Sequence, residues 1–192
     1  MAAPATIDTT CLSCADTFTT QKGAKQIPLA NADGSAVVWQ PKTPLNVLWE
    51  PSAFNDPTAT RLNITFSVTP EAEHELHGFD EWSVNTLALE SSRFFGQQLS
   101  VEELRRRYQP ALRVHEQTGA KSLRCKMNTQ GRTAVKCWDT FRQPRSLPDS
   151  WQQCTVTARI AFKGFWIMAK ECGPLLELQH ALLDEAPTDC PF

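Results

Sequence analysis

Between Lys121 and Leu183, cations and tryptophans fall on alternating positions of segments that are otherwise apolar. In LRCKM, Leu123, Cys125 and Met127 alternate with Arg124 and Lys126, and in TAVKCW, Val135 and Cys137 oppose Lys136 and Trp138. In CTVTARIAF, Cys154, Val156, Ala158, Ile160 and Phe162 form one row and Thr155, Thr157 and Arg159 the other. Successive side chains of a strand point to opposite faces, so each segment turns an apolar row to a core and a polar row outward. Lys163 and Trp166 follow directly. Cations that track phosphates, interleaved with flat rings on which unpaired bases stack at roughly 1 to 3 kcal/mol each, are the chemistry of single-stranded nucleic-acid binding. The candidate contacts are therefore Arg124, Lys126, Lys136, Trp138, Arg159, Lys163 and Trp166. Were both tryptophans core residues, the same pattern would leave only a basic surface.

Reaction chemistry finds no comparable support. The chain has no phosphate loop, nucleophile elbow or zinc-protease motif, so no catalytic residue is assigned and no enzyme is expected. His115 and His180 read as strand residues with satisfied partners. Asp139 and Asp149 lie in a loop without a third ligand for Mg²⁺. Cys11 and Cys14 have the spacing of a zinc knuckle, and His74 and His77 form a second pair, but about 60 residues separate them, far beyond finger spacing. Neither a metal nor another cofactor is expected.

Charge distribution agrees with the strand pattern. The net charge of −2 over 192 residues conceals 14 Lys or Arg against five Asp or Glu between positions 101 and 170. The rest of the chain carries the opposite excess. A basic body between acidic flanks suits a polyanion. No apolar run approaches the roughly 20 residues of a membrane-spanning helix, and MAAPATIDTT lacks the basic and apolar regions of a secretory signal. Seven scattered cysteines do not form a disulfide framework. An intracellular setting follows, nuclear or cytoplasmic, with a virus-encoded origin included and no membrane partner.

The elements that position these residues are mostly strands. Residues 1–44 show no sustained period and read as an irregular arm, with a short hairpin at Asn31–Gly34 before AVVW. LNVLWEP predicts a short strand ending before Pro51, and RLNITFSV alternates Leu62, Ile64, Phe66 and Val68 against polar partners. A helical insertion spans about 70–108. Asp80 is placed to cap a helix carrying Val84, Leu87, Ala88, Phe94 and Phe95 that ends at Gly96, and Ser100 with Glu103 forms a capping box. ALRVHEQ returns to extended structure. Lys163-Gly164 predicts a tight turn, GPLLELQHALL a last strand or helix, and 184–192 an acidic tail. The result is a β-rich α+β fold: a barrel or sheet of five to seven strands over 45–183, with a helical insertion after an early strand.

That order resembles the OB-fold-like single-stranded DNA-binding replication proteins of large DNA viruses and phages. The matching motifs are the Arg/Lys strand from Leu123 to Met127 and the later Gly164-Phe165-Trp166. The resemblance implies single-stranded DNA binding with little sequence preference, in replication, recombination or repair, with DNA favoured over RNA. The end of the chain, where Asp184, Glu185 and Asp189 precede Pro191-Phe192, is similar to the acidic Pro-Phe tip of bacterial single-stranded DNA-binding proteins. This second likeness implies recruitment of replication or repair proteins through the tail. Nothing in the sequence forbids a homo-oligomer. The rival reading is a protein–protein interaction or structural module whose basic face meets an acidic partner.

Overall fold

The computed structural model describes residues 6–21, 23–53, 56–152, 154–169 and 171–184. In chain order its strands are β1 (Leu12–Cys14), β2 (Phe18–Thr19), β3 (Lys25–Asn31), β4 (Val37–Trp39), β5 (Leu45–Asn46) and β6 (Arg61–Ser67). Three helices follow, α1 (Pro70–Leu89), α2 (Ser91–Phe95) and α3 (Val101–Arg107). The chain then forms β7 (Leu112–Val114), β8 (Lys121–Asn128), β9 (Lys136–Trp138), β10 (Pro144–Arg145), β11 (Thr155–Met168) and β12 (Glu171–Asp184).

The main hydrogen-bonded path runs β1-β3-β11-β12-β8-β6. Its two sides are joined by the segment after β5. Leu45 pairs with Val156 of β11, the Val47 amide donates to the Cys154 carbonyl at 2.9 Å, and the Leu48 amide donates to the Thr65 carbonyl of β6 at 2.9 Å. The path therefore curls into a barrel, which pairs backbone groups that an open edge would leave unsatisfied. This is the β-rich architecture with a helical insertion that the sequence pattern implies, with twelve strands among the described residues in place of five to seven, and its barrel is the OB-like one that the resemblance implies. The apolar rows point inward as the alternation requires: Leu123, Val156, Ala158 and Ile160 are wholly buried, and Cys125 and Met127 nearly so.

The helical insertion closes one side of the barrel. Phe79 of α1 packs edge-on against Phe162 with centroids 4.6 Å apart and lies parallel to Phe165 at 6.1 Å. α1 begins at Pro70, with the Thr69 hydroxyl accepting from the Ala72 amide. Asp80 is consequently not a cap. It sits mid-helix and buried, where its carboxylate accepts from the Tyr108 hydroxyl at 2.8 Å and from the Ala111 and Leu112 amides at 2.8 and 3.1 Å. Short polar side chains suit caps and buried cross-links alike, and only the packing distinguishes them. Gly96 does end α2, in the left-handed conformation, and Ser100 and Glu103 do form the capping box.

Three further readings change. The lead-in is more ordered than its missing period implied, because β3, β4 and β5 follow one another antiparallel along β11 and β1 adds outside β3. The Asn31–Gly34 turn is present, yet its flanking strands pair with β11 and not with each other. Lys163-Gly164 makes no turn. β11 runs through it with a register irregularity, and Gly164 combines φ 137° with an approach so close that an added Cβ would stand 1.9 Å from the Ile27 carbonyl oxygen. The segment after Pro174 is strand throughout.

Candidate nucleic-acid interface

The outward rows of β6, β8, β12, β9 and β11 form one continuous face. Asn63, Lys126 and Glu177 are register partners across β6, β8 and β12, and His180 of β12 is the partner of both Arg159 on β11 and Lys136 on β9. Arg113 of β7 stands close enough to Arg124 that each repels the other's charge. Partial burial, followed by that repulsion, holds the Arg113 guanidinium below its ordinary range. Burial first, and then Arg61 and Arg124, do the same to Lys126. The acidic residue on this stretch is Glu177, buried and bound by Arg61 at 3.2 Å.

At the β9 end the face deepens into a groove of about 250 Å³ lined by Gln40, Trp138, Arg142, Thr157, Arg159, His180 and Leu182. Trp138 is half-buried, and its Nε1–H donates to His180 Nδ1 at 3.1 Å. The two rings lie 10° from parallel with centroids 6.0 Å apart. Burial, with Arg159 and Lys136 adding repulsion, lowers the His180 pKa from its ordinary value, which favours the neutral ring. Arg159 Nε is buried without a hydrogen-bond partner among the described residues. Beside the groove, β9 and β10 are joined by a turn in which the Asp139 carboxylate accepts from the Gln143 amide at 2.7 Å and Arg142 takes φ 62°. That turn presents Phe141 at 84% exposure.

The sequence-derived candidates divide accordingly. Arg124, Lys126, Lys136, Trp138 and Arg159 share the outward face. Trp166, half-buried, lies at the far end of β11 beside Gly173, where an added Cβ would meet its Cζ2 at 3.0 Å. It lines a small recess with Arg113, Arg124 and Pro174, and also a groove of about 620 Å³ with Phe94, Phe95, Arg107 and Met168. Lys163 is exposed at the β11 irregularity and lines neither groove. Asp184 ends β12, while Glu185, Asp189, Pro191 and Phe192 lie outside the described residues.

Sequence reasoning passed over Arg113, Phe141, Arg142 and His180. Phe141 had a signal, an aromatic inside a polar loop, followed by Arg142 and Arg145. His180 had none, because strict alternation from Leu176 and Leu178 places it in the core. A bulge shifts that register, pairing Ile160 with Leu178 but Arg159 with His180, and so transfers His180 to the outer face.

Other candidate chemistry disperses. Cys11 is exposed and bonds Asp8 at 3.4 Å, burial pushes the Cys14 thiol up to about 12, and His74 and His77 are exposed on α1. His115 lies after β7, with Nδ1 3.1 Å from the Thr118 hydroxyl. Among the described residues no three His, Cys, Asp or Glu side chains gather as a metal site, and no helix is long and apolar enough to cross a membrane.

No protein-family model matches the chain, and no curated protein matches it in sequence. Among solved structures, it is similar to gp2.5, a single-stranded DNA-binding protein encoded by bacteriophage T7. The TM-score is 0.54 at 12% identity, over 80% of this chain and 89% of that one. The single-stranded DNA-binding protein of bacteriophage Enc34 also aligns, in complex with single-stranded DNA, over 95% of this chain and 96% of that one, with a TM-score of 0.48 at 8% identity. At these identities the likeness is one of fold.

Proposed function

We propose that this protein binds single-stranded DNA with little sequence preference along the outward face of β8, β12, β9 and β11, as a virus-encoded protein of replication, recombination or repair. The observation that carries the proposal is the face itself. Arg113, Arg124, Lys126, Lys136 and Arg159 lie on adjoining strands without ion pairs among the described residues, next to a half-buried tryptophan. Crowded cations raise the free energy of the unbound protein, and a phosphate chain relieves that repulsion while releasing its own counterions. The name of the T7 protein that shares the fold supports the same reading.

In this mechanism Arg113, Arg124, Lys126, Lys136 and Arg159 track phosphates, with Lys163 and Trp166 extending the path. Trp138 and Trp166 lie apart along β11, about 23 Å if measured from Arg159 to Trp166 at strand rise. A bound strand therefore crosses the barrel face instead of ending in one pocket. Sequence tolerance follows because phosphates and ring faces are common to every nucleotide. Binding of this kind requires no reaction chemistry and no cofactor. The acidic tail, with Asp184, Glu185, Asp189, Pro191 and Phe192, is assigned to replication or repair partners, and self-association to form a homo-oligomer is compatible with this role.

The test is a titration with oligothymidine and with duplex DNA side by side. Single-stranded DNA should quench tryptophan fluorescence and bind more tightly than duplex, with log affinity falling linearly in log salt. Absence of both quenching and a mobility shift at low salt would favour the interaction-module reading.

A further inference from the structure

Resting on single-strand binding, we propose that the Trp138 indole and the His180 imidazole act together as one composite platform for a single unpaired base, with Arg159 and Arg142 taking the adjoining phosphate.

Ring geometry defines the pair. Two rings stacked face to face would bring their centroids much closer than 6.0 Å, and an indole N–H lies in the plane of its ring. A 10° interplanar angle combined with an Nε1–H to Nδ1 hydrogen bond of 3.1 Å therefore places the rings edge to edge in nearly one plane. The arrangement has the shape of a base pair: two flat heteroaromatics joined along their edges, together wider than either alone. Stacking energy grows with overlapped ring area, so the pair offers a base more floor than an isolated tryptophan.

Three features keep the platform assembled and aimed at a nucleotide. The hydrogen bond requires Nδ1 to be an unprotonated acceptor, and burial, with repulsion from the register partners Arg159 and Lys136 added to it, disfavours the protonated ring. The imidazole reaches the outer face through the β12 bulge, so the backbone irregularity has a role in building the pair. Arg159 lines the groove below, where its guanidinium charge suits a phosphate, and its buried Nε has no hydrogen-bond partner among the described residues. Arg142 lines the same groove from the β9–β10 turn.

The test separates ring area from charge and from the hydrogen bond at about pH 7.5, above the ordinary histidine range. Affinities are measured for oligothymidine and for a fully abasic deoxyribose-phosphate chain of equal length. His180→Gln keeps an acceptor for the indole but removes the ring, and Trp138→Phe keeps a ring but removes the donor. Each is expected to lose about tenfold on oligothymidine and to leave abasic-chain affinity and the salt slope unchanged. Circular dichroism and thermal melting verify that both variants fold. The proposal is overturned if His180→Gln binds oligothymidine like the parent protein, or if it weakens both ligands equally. Failure of the parent protein to bind either ligand would overturn the single-strand reading itself, and this proposal with it.

Discussion

The two sides of the molecule treat their cations in opposite ways. Around the helices, arginines and lysines are matched: Arg105 with Glu81 at 2.6 Å, Arg93 with Asp16 at 2.8 Å and with Glu90, Arg106 with Glu102 at 4.0 Å, and Lys121 with Glu73. On the sheet face Arg113, Arg124, Lys126, Lys136 and Arg159 have no such ion pairs among the described residues, and burial, with neighbouring cations adding repulsion, lowers the pKa of Arg113 and Lys126. A local excess of basic residues therefore does not by itself identify an interface. The triple arginine Arg105-Arg106-Arg107 looks as cationic in the sequence as the strands do, but two of its members are neutralised by neighbours on α1 and α3. What distinguishes the sheet face is charge left uncompensated, where a polyanion gains most.

Charge reversal at equal net charge should affect the two sides very differently. Arg124→Glu with Lys126→Glu should weaken oligothymidine binding about 100-fold at low salt and reduce the salt slope by about two phosphate contacts. Arg105→Glu with Arg106→Glu should stay within about threefold. Equal losses would mean that overall charge, and not its compensation, sets affinity. Phe141→Ala, at the solvated tip beside the groove, should cost about tenfold in affinity with no change in melting temperature, because its ring has little packing to lose. A melting temperature that falls with affinity would make Phe141 structural.

Smaller effects sharpen the same contrast. Lys126→Gln removes like-charge repulsion within the sheet, so the free protein should melt about 1–2 °C higher while binding DNA less well. Glu81→Gln on the matched side should give the reverse, a slight loss of stability with unchanged binding. The smallest effect concerns pH. His180 has a folded pKa below its ordinary value, so the folded state binds fewer protons than the unfolded chain. The stability it contributes is present above about pH 6.5 and lost as pH falls through the lowered value. Between pH values on either side of that window, His180→Gln should lose less melting temperature than the parent protein. Parallel slopes would place the titration elsewhere.

Much of the outward cationic face is readable because alternation is a local property. Leu123, Cys125 and Met127 against Arg124 and Lys126 specify two faces of β8 whatever β8 pairs with, and Val156, Ala158 and Ile160 do so for β11. Reading failed where the outcome depended on distant neighbours. Asp80 has the composition of a cap but meets Tyr108, Ala111 and Leu112 from another part of the chain. Gly164 suggests a turn but is required by the approach of Ile27. The strands before position 44 have too little period to be seen alone and are ordered by β11.

Which residues are apolar, which are cationic and on which face of β8, β9 and β11 each lies is set locally along the chain, since a period of two needs no partner to be expressed. Three things follow only from the tertiary fold: the closing of the barrel through residues 45–48, the pairing of Arg93 with Asp16 and of Arg105 with Glu81, and the bulge that brings His180 beside Trp138. Each depends on contacts between residues far apart in the chain, and no local pattern encodes the energy of a contact whose other half lies elsewhere.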